Sequence, residues 1–336
     1  MRTFNWAILG PGHIARKFAE DLKLVPGARL HAVASRSLPR AQAFAAEFGA
    51  AHAVGSYEAL LAVPGVDAVY VATPHSEHYA HALLCLRAGL PVLCEKAFTQ
   101  NARQAQELVA VARAKGVFLM EAFWTRFFPA IGQALALVQA GAIGEVKHLV
   151  ADFGFITDYK PEGRLFNPTL AGGSLLDIGV YPLFISQLFL GAPATVRAVA
   201  TPAPTGVDQN CAMALAYASG ATATLFSTIA ATTENRCVLY GTLGQLQLSG
   251  RFHAATGVQL RLASEAQPQE FPAPITGYGY HYEAAHVQEC LAQGLTESPL
   301  LPLAFSLQLM QSLDAVRVQI GLRYPGEEVM GDGSNR

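Results

Sequence analysis

Three side chains in this chain have the chemistry to move a proton between them. Lys96 follows Glu95 at the end of a short apolar run, Leu90-Pro91-Val92-Leu93-Cys94. Asp177 and Tyr181 stand four residues apart, so on a helix both project from one face. A carboxylate one turn from a phenol, with an ammonium close by, supplies an acid/base group and its orienting partners. Each residue also has an ordinary reading. Lys96 alone is a solvated loop lysine. Ser174 and Asp177 have the spacing of an N-cap and the third residue of its helix, so Asp177 would then only cap.

The elements around these residues favour the chemical reading. The run before Glu95 reads as a buried strand. Asn101 and Gln104 then form a capping pair for a helix to about Lys115, with Ala105, Leu108, Val109 and Ala112 on one face. Lys96 therefore sits at the carboxyl end of a strand, the edge where open parallel sheets bind ligands. The chain begins with a similar unit. Phe4 to Leu9 is an apolar strand, Gly10-Pro11-Gly12-His13-Ile14-Ala15 is a GxGxxA turn, and Ile14, Phe18 and Leu22 follow at helical spacing. In that context the turn reads as a dinucleotide fingerprint: Gly10 for the tight turn, Gly12 for close approach of a pyrophosphate, Ala15 for helix–strand packing. The pyrophosphate would rest on the helix amino terminus at His13 and Ile14.

A second strand, about Ala28 to Ala34, ends in Ser35-Arg36-Ser37. An acid usually stands there to hold the ribose 2′-hydroxyl of NAD(H). A hydroxyl residue followed by Arg36, with Arg40 one turn on, suits the 2′-phosphate of NADP(H) instead. Val66 to Thr73 is a near-continuous apolar strand. It stops at Pro74 and places Thr73, Pro74, His75 and His78 beside the expected cofactor. Val117 to Met120 is the next strand, leading to Trp124 and Arg126 at the junction with the second half. Strands alternating with helices over residues 4 to 120 predict a doubly wound parallel sheet, with a dinucleotide-binding domain over residues 1–123.

After one helix at about Ala130 to Ala140, the period changes to two. Leu149, Ala151, Phe153 and Phe155 share a face, and alternating runs follow at 196–200, 210–218, 221–229, 236–240, 245–248 and 258–262. Residues 124–330 are therefore expected to form an α+β domain on a large, open, mainly antiparallel sheet, serving substrate binding and oligomerisation. Trp124, Phe153, Phe155 and Tyr280, with Tyr278 and Tyr282, are candidates for an aromatic substrate wall. Arg126 and Arg164 are the only arginines expected near Lys96 and Asp177. A neutral cyclic polyol is thus a better fit than a phosphorylated or carboxylated substrate.

Composition narrows the class. Charged residues make up 14% of the chain and net charge is −2, which disfavours nucleic-acid or membrane partners and suggests a large buried interface, hence a homodimer or higher homo-oligomer. The five cysteines lack metal-type spacing, so no metal is expected. Cys85 and Cys94 fall in apolar runs, as reduced core residues of a cytoplasmic protein would. The longest uncharged run, Gln209 to Thr233, has hairpin rather than membrane-span periodicity. The segment from Pro325 to Arg336 is expected to fray.

Five anchors carry a resemblance that runs from Phe4 to Tyr324. They are Glu95-Lys96, the string Met120-Glu121-Ala122-Phe123-Trp124-Thr125-Arg126-Phe127-Phe128-Pro129, Gly172-Gly173 through Asp177 and Tyr181, Tyr280-His281-Tyr282-Glu283, and Leu295-Thr296-Glu297-Ser298-Pro299-Leu300. Together they resemble the Gfo/Idh/MocA family of NAD(P)-dependent oxidoreductases, and within it the dimeric dihydrodiol dehydrogenase and NADP-dependent D-xylose dehydrogenase branch. The resemblance implies a Rossmann domain followed by an open antiparallel sheet whose outer face often pairs subunits. It also implies that Lys96, Asp177 and Tyr181 line the nicotinamide site, with Tyr181 exchanging the proton and Lys96 assisting. Many relatives have His in place of Tyr181, and Lys96 is the other candidate for proton exchange. Ala97 stands where the family usually has proline, so both a cis and a trans Lys96–Ala97 bond remain open. The substrate implied is an aldopyranose such as D-xylose or a trans-dihydrodiol. Two alternatives are a catalytically silent NADP(H)-binding regulator, which would need none of the three residues, and another Rossmann-like enzyme such as a methyltransferase.

Overall fold

The computed structural model describes residues 3–327. Six parallel strands form the first sheet: β1 (Phe4–Leu9), β2 (Ala28–Ala34), β3 (His52–Val54), β4 (Ala68–Val71), β5 (Val92–Glu95) and β6 (Leu119–Ala122), in the order β3-β2-β1-β4-β5-β6. Helices α1 (His13–Leu22), α2 (Leu38–Phe48), α3 (His75–Arg87) and α4 (Ala102–Lys115) make the crossovers. β4, β5 and β6 are buried along their whole length; β4 is accordingly apolar throughout, and Glu95 and Glu121 are the buried acids in β5 and β6. From β1 the chain moves outward through β2 and β3, then returns to place β4 on the other side of β1. The strand order therefore reverses between β1 and β4, where Leu9 pairs with Val71, and a crevice opens outside their carboxyl ends.

The second sheet follows α5 (Pro129–Gln139). Its strands are β7 (Val146–Gly154), β8 (Thr195–Pro202), β9 (Asp208–Ala216), β10 (Thr222–Thr228), β11 (Cys237–Gly241), β12 (Gly244–Ser249), β13 (Gly257–Leu262) and β14 (Gln269–Pro272), in the order β14-β13-β12-β11-β7-β10-β9-β8. The sheet is mixed rather than wholly antiparallel. β7 and β10 pair in parallel at its centre, with Leu149 opposite Ala223 and Ala151 opposite Leu225. The cause is a long crossover, since parallel neighbours cannot be joined by a hairpin. After β7 the chain leaves the sheet, forms α6 (Val180–Leu190) across one face, and re-enters at the far edge as β8. The uncharged run expected to be a hairpin is β9 paired antiparallel with β10.

Two helices then return to the first sheet. α7 (Tyr280–Ala292) packs on α1, and α8 (Leu303–Ile320) packs on α4, α6 and β8. Asp314 of α8 accepts the Ala102 amide at 2.8 Å, and the buried Arg317 donates to the Gln100 carbonyl at 2.8 Å. Residues 325–327 are not frayed as expected. Glu327 pairs with Arg317 and accepts from Asn101 at 3.0 Å and from the Tyr324 amide at 3.0 Å. The rest of that segment, 328–336, lies outside the described residues.

Candidate active site

The crevice is a cleft of about 600 Å³. Gly10 closes β1 at φ +95, and a Cβ there would lie 2.8 Å from Thr73 Cγ2 and 3.1 Å from the Ala72 carbonyl carbon. Only glycine combines that backbone with that neighbour. Gly12 faces open space, with nothing within 4 Å of its absent Cβ. The amino terminus of α1 has no side-chain cap and no acidic residue in its first turn. Its unpaired amides and the bare backbone at Gly12 form a cradle that fits a pyrophosphate. At the outer end, Ser35, Arg36, Ser37, Arg40 and Tyr57 line the cleft. The acids lining it, Glu95 and Asp177, are both at the opposite end.

Thr73, Pro74, His75 and His78 form the facing wall. His78 is fully buried, with Nδ1 at 2.8 Å from the Ala97 carbonyl and Nε2 at 2.7 Å from the Thr73 carbonyl. It braces the end of β4 against the chain leaving β5 and presents no free ring nitrogen. Burial pulls its pKa down to about 4, against the two carbonyls, which favour the cation. His75 Nδ1 lies 3.3 Å from the Ala171 carbonyl, and burial followed by the Lys96 charge holds the ring below its usual range.

The reacting end is built from both sheets. Lys96 leaves β5 through a cis bond to Ala97. Its Nζ donates to the Asp177 carbonyl at 2.6 Å and to Asp177 Oδ1 at 3.4 Å. It also lies 5.1 Å from the centre of the Tyr181 ring. Arg164 Nη1 donates to the same Oδ1 at 2.6 Å. Burial opposes charge on Asp177, but Lys96 and Arg164 outweigh it and hold the carboxyl well below the usual range. Asp177 lies in a π-helical turn, Leu175–Gly179, that runs into α6. It does not cap. The Leu175 amide and Ser174 Oγ both donate to Asp208 Oδ2 at 2.7 Å, so Asp208 closes this helix start.

Tyr181 is buried in aromatic company. Trp124 Nε1 donates to its hydroxyl oxygen at 2.9 Å, and Trp124 stacks on Tyr280 at 4.7 Å. Phe153 lies 5.4 Å from the Tyr181 ring and stacks on His253 at 4.0 Å. Burial and the Glu95 carboxylate push the phenol well above its usual range, so it rests protonated. Glu95 accepts from the Tyr70 hydroxyl and, at 3.2 Å, from the Lys96 amide.

Of the sequence candidates, Gly10, Gly12, His13, Ile14, Ser35, Arg36, Arg40, Thr73, Pro74, His75, His78, Glu95, Lys96, Asp177, Tyr181 and Tyr280 all line the cleft. Trp124 and Phe153 stand behind Tyr181 rather than in the wall, and Phe155 is one layer further, 6.5 Å from Phe153. Arg126 is a correction. Its Nε donates to the Leu300 carbonyl at 2.8 Å and it does not line the cleft, because its turn, Trp124–Phe127, is tied to the carboxyl-terminal segment. Tyr57, Leu170 and His253 were not foreseen. Tyr57 adjoins a short 3₁₀ turn, and Leu170 and His253 each sit within one, where no hydrophobic period signals a face.

A groove that can seat two phosphates on helix amides and end at a lysine beside a phenol defines a dinucleotide-dependent oxidoreductase. Residues 4–123 match the model of the oxidoreductase family with an NAD-binding Rossmann fold, and residues 131–247 match the GFO/IDH/MocA C-terminal domain. The chain belongs to the Gfo/Idh/MocA oxidoreductase family. It is 38% identical to the trans-1,2-dihydrobenzene-1,2-diol dehydrogenases of Mus musculus and Bos taurus, each alignment covering 97% of this chain and 99% of the relative. Among solved structures it resembles a 3-ketoreductase from Actinomadura kijaniata in complex with NADP and TDP-benzene (TM-score 0.84, 31% identity, 95% of this chain and 98% of that one). It also resembles an aldose-aldose oxidoreductase from Caulobacter crescentus complexed with glycerol (TM-score 0.86, 27% identity, 95% and 97%).

Proposed function

We propose that this protein is an NADP(H)-dependent dehydrogenase acting on a secondary alcohol of a neutral cyclic polyol, an aldopyranose such as D-xylose or a trans-dihydrodiol. The observation that carries this reading is the polarity of the cleft: Arg36 and Arg40 with no acid in the lining at one end, the nearest being Glu58 and Glu77 in the adjoining hollow, and Lys96, Asp177 and Tyr181 at the other. The names of the dehydrogenase relatives and the NADP-bound ketoreductase support it. NADP(H), when bound, takes up or gives the hydride.

The chain's own residues supply the rest. The α1 amides and Gly12 seat the pyrophosphate, and Arg36 and Arg40 hold the 2′-phosphate. The Trp124 N–H occupies one lone pair of the Tyr181 oxygen, which leaves the Tyr181 O–H directed away from Trp124 and free to serve a substrate oxygen. In oxidation the Lys96–Tyr181 pair first loses one proton to solvent, and the vacated site takes the substrate hydroxyl proton as the carbon gives up hydride. In reduction the proton returns. The ammonium over the Tyr181 ring stabilises phenolate character as it forms. Among the described residues lining the reacting end, the cations are Lys96 and Arg164, and Arg164 is committed to Asp177. Of the aromatic candidates, Tyr181 and Tyr280 line the cleft, and their rings suit the apolar face of a ring sugar or diol.

The test is kcat/KM for aldoses, polyols, cyclic trans-diols and a sugar phosphate with both cofactors, followed by nicotinamide absorbance. D-xylose or a cyclic trans-diol should exceed the phosphorylated sugar. The reverse order would show a basic substrate site and overturn the reading.

A homodimer through the outer face of the second sheet belongs to the same proposal. Cross-strand neighbours on that face are Val199, Ala212, Phe226 and Asp152 in one row and Arg197, Ala214, Thr224 and Val150 in the next, so each row carries one charge among small and apolar side chains. Val199 is 72% exposed in the single chain. An apolar, weakly charged, unpartnered face of this kind marks an association surface. Light scattering at micromolar concentration should give about twice the 35.7 kDa chain mass. A monomer mass would refute the dimer. The five buried, unpaired cysteines suit a reducing, cytoplasmic location.

A further inference from the structure

We propose that Arg164 is a positioning residue for Lys96: by holding the Asp177 carboxylate it keeps the Lys96–Asp177 ion pair long and the ammonium on the Asp177 backbone carbonyl. The inference rests on the dehydrogenase reading for its activity readout, but not for its geometry.

Arg164 and Lys96 compete for one oxygen. Arg164 takes Asp177 Oδ1 at 2.6 Å, and Lys96 reaches it only at 3.4 Å, the edge of hydrogen-bond range. The short contact of Lys96 is to the backbone carbonyl of Asp177 instead, at 2.6 Å. The Asp177 side chain is 7% exposed and the Arg164 side chain 61% exposed, so the guanidinium reaches in from the mouth of the cleft to a buried carboxylate. The chain is folded to allow this. The Gly173 amide donates to the Leu165 carbonyl at 2.8 Å. A Cβ on Gly172 would lie 2.8 Å from both the Arg164 and the Leu165 carbonyl oxygens. Glycine at 172 therefore lets the Arg164 segment lie against the turn that carries Asp177. The sequence motif Gly172-Gly173 ahead of Asp177 thus has a use beyond chain reversal.

Without Arg164, Lys96 alone would neutralise a buried carboxylate. A buried charge with too little compensation is costly, so the present 3.4 Å Lys96–Asp177 ion pair would tighten. Lys96 would then swing less freely toward substrate. The other titratable groups facing this cluster are Glu95, Tyr181, His75, His78, His253 and Glu121, and none of them offers Asp177 a replacement cation at neutral pH.

The experiment compares wild type, Arg164→Met and Arg164→Lys. In alcohol oxidation the rising limb of the kcat profile should move to higher pH in Arg164→Met, with a roughly 10-fold or greater loss of kcat at pH 7, the size of a one-unit displacement. NADP(H) affinity should be unchanged. Arg164→Lys should restore the limb toward wild type, since it keeps the charge while losing the planar fork. A residue that only holds the loop would lower kcat evenly at every pH, and that result overturns the proposal. So does an unshifted limb in Arg164→Met. A second readout needs neither substrate nor cofactor: the ¹³C-lysine NMR titration of the Lys96 ε-carbon, identified by its loss in Lys96→Met, should move to higher pH in Arg164→Met. An unmoved midpoint overturns the proposal even if no substrate is found. A moved midpoint in a protein inactive on every alcohol would overturn the dehydrogenase reading alone.

Discussion

Lys96→Met and Tyr181→Phe should each lower turnover by about 10²–10⁴-fold, the contribution of a positioned acid–base group, while NADP(H) still binds. The cofactor's expected contacts lie mainly on the first sheet, at the Gly12 cradle and the Arg36–Arg40 end, far along the cleft from either substitution. The two side chains share one task. Tyr181 offers the hydroxyl, already oriented by Trp124, and Lys96 supplies positive charge over its ring. Removing both should therefore cost little more than removing one, because residues that act as a unit are non-additive. The measurements are kcat by nicotinamide absorbance and cofactor affinity by fluorescence. Near-full activity in Tyr181→Phe would pass the proton to Lys96.

Arg36→Ala should weaken NADPH binding by roughly 10–100-fold and leave NADH binding nearly unchanged, the range expected for a lost charge-assisted hydrogen bond. β2 ends with Ser35, which is buried and accepts the Ser37 amide at 3.2 Å, so the chain turns outward at Arg36. α2 begins here with no side-chain cap from Ser37; Pro39 carries no N–H, so the first turn offers an anion the Leu38 and Arg40 amides. Arg36 and Arg40 flank that opening, and the cleft's acids are at its other end. Equal affinity of the wild-type protein for NADPH and NADH would rule out this assignment of the arginines.

What the sequence showed of this molecule followed from periodicity and from glycine. β1, the Gly10–Gly12 turn and α1 were legible because an apolar run, a backbone demand and a helical spacing occur within twenty residues or so. Lys96 was legible because β5 is buried on both faces. β3 and β14 were not, being three and four residues long with no fully buried position. α7 and α8 escaped for a different reason. Their inward positions include Glu283, Ser306, Ser312 and Arg317, and Val318 points outward, so polarity and burial do not coincide. Asp177 kept two readings until Asp208, thirty-one residues downstream, was seen to do the capping. The grip of Arg164 on Asp177 depends on how the 155–172 connection folds against Gly172, which no local pattern encodes.

The return of α8 to the first sheet gives the molecule a temporal order. The six parallel strands are complete in sequence by Ala122, yet the first amide of α4 takes its partner from Asp314, and the Gln100 carbonyl just before the helix takes its donor from Arg317. At roughly 5–20 residues per second of synthesis, the amino-terminal half waits many seconds with that corner unsealed. The last helix of the chain acts as a latch on the first half, so a ribosome-bound fragment ending before Leu303 lacks the partners that close this corner of the nucleotide-binding half.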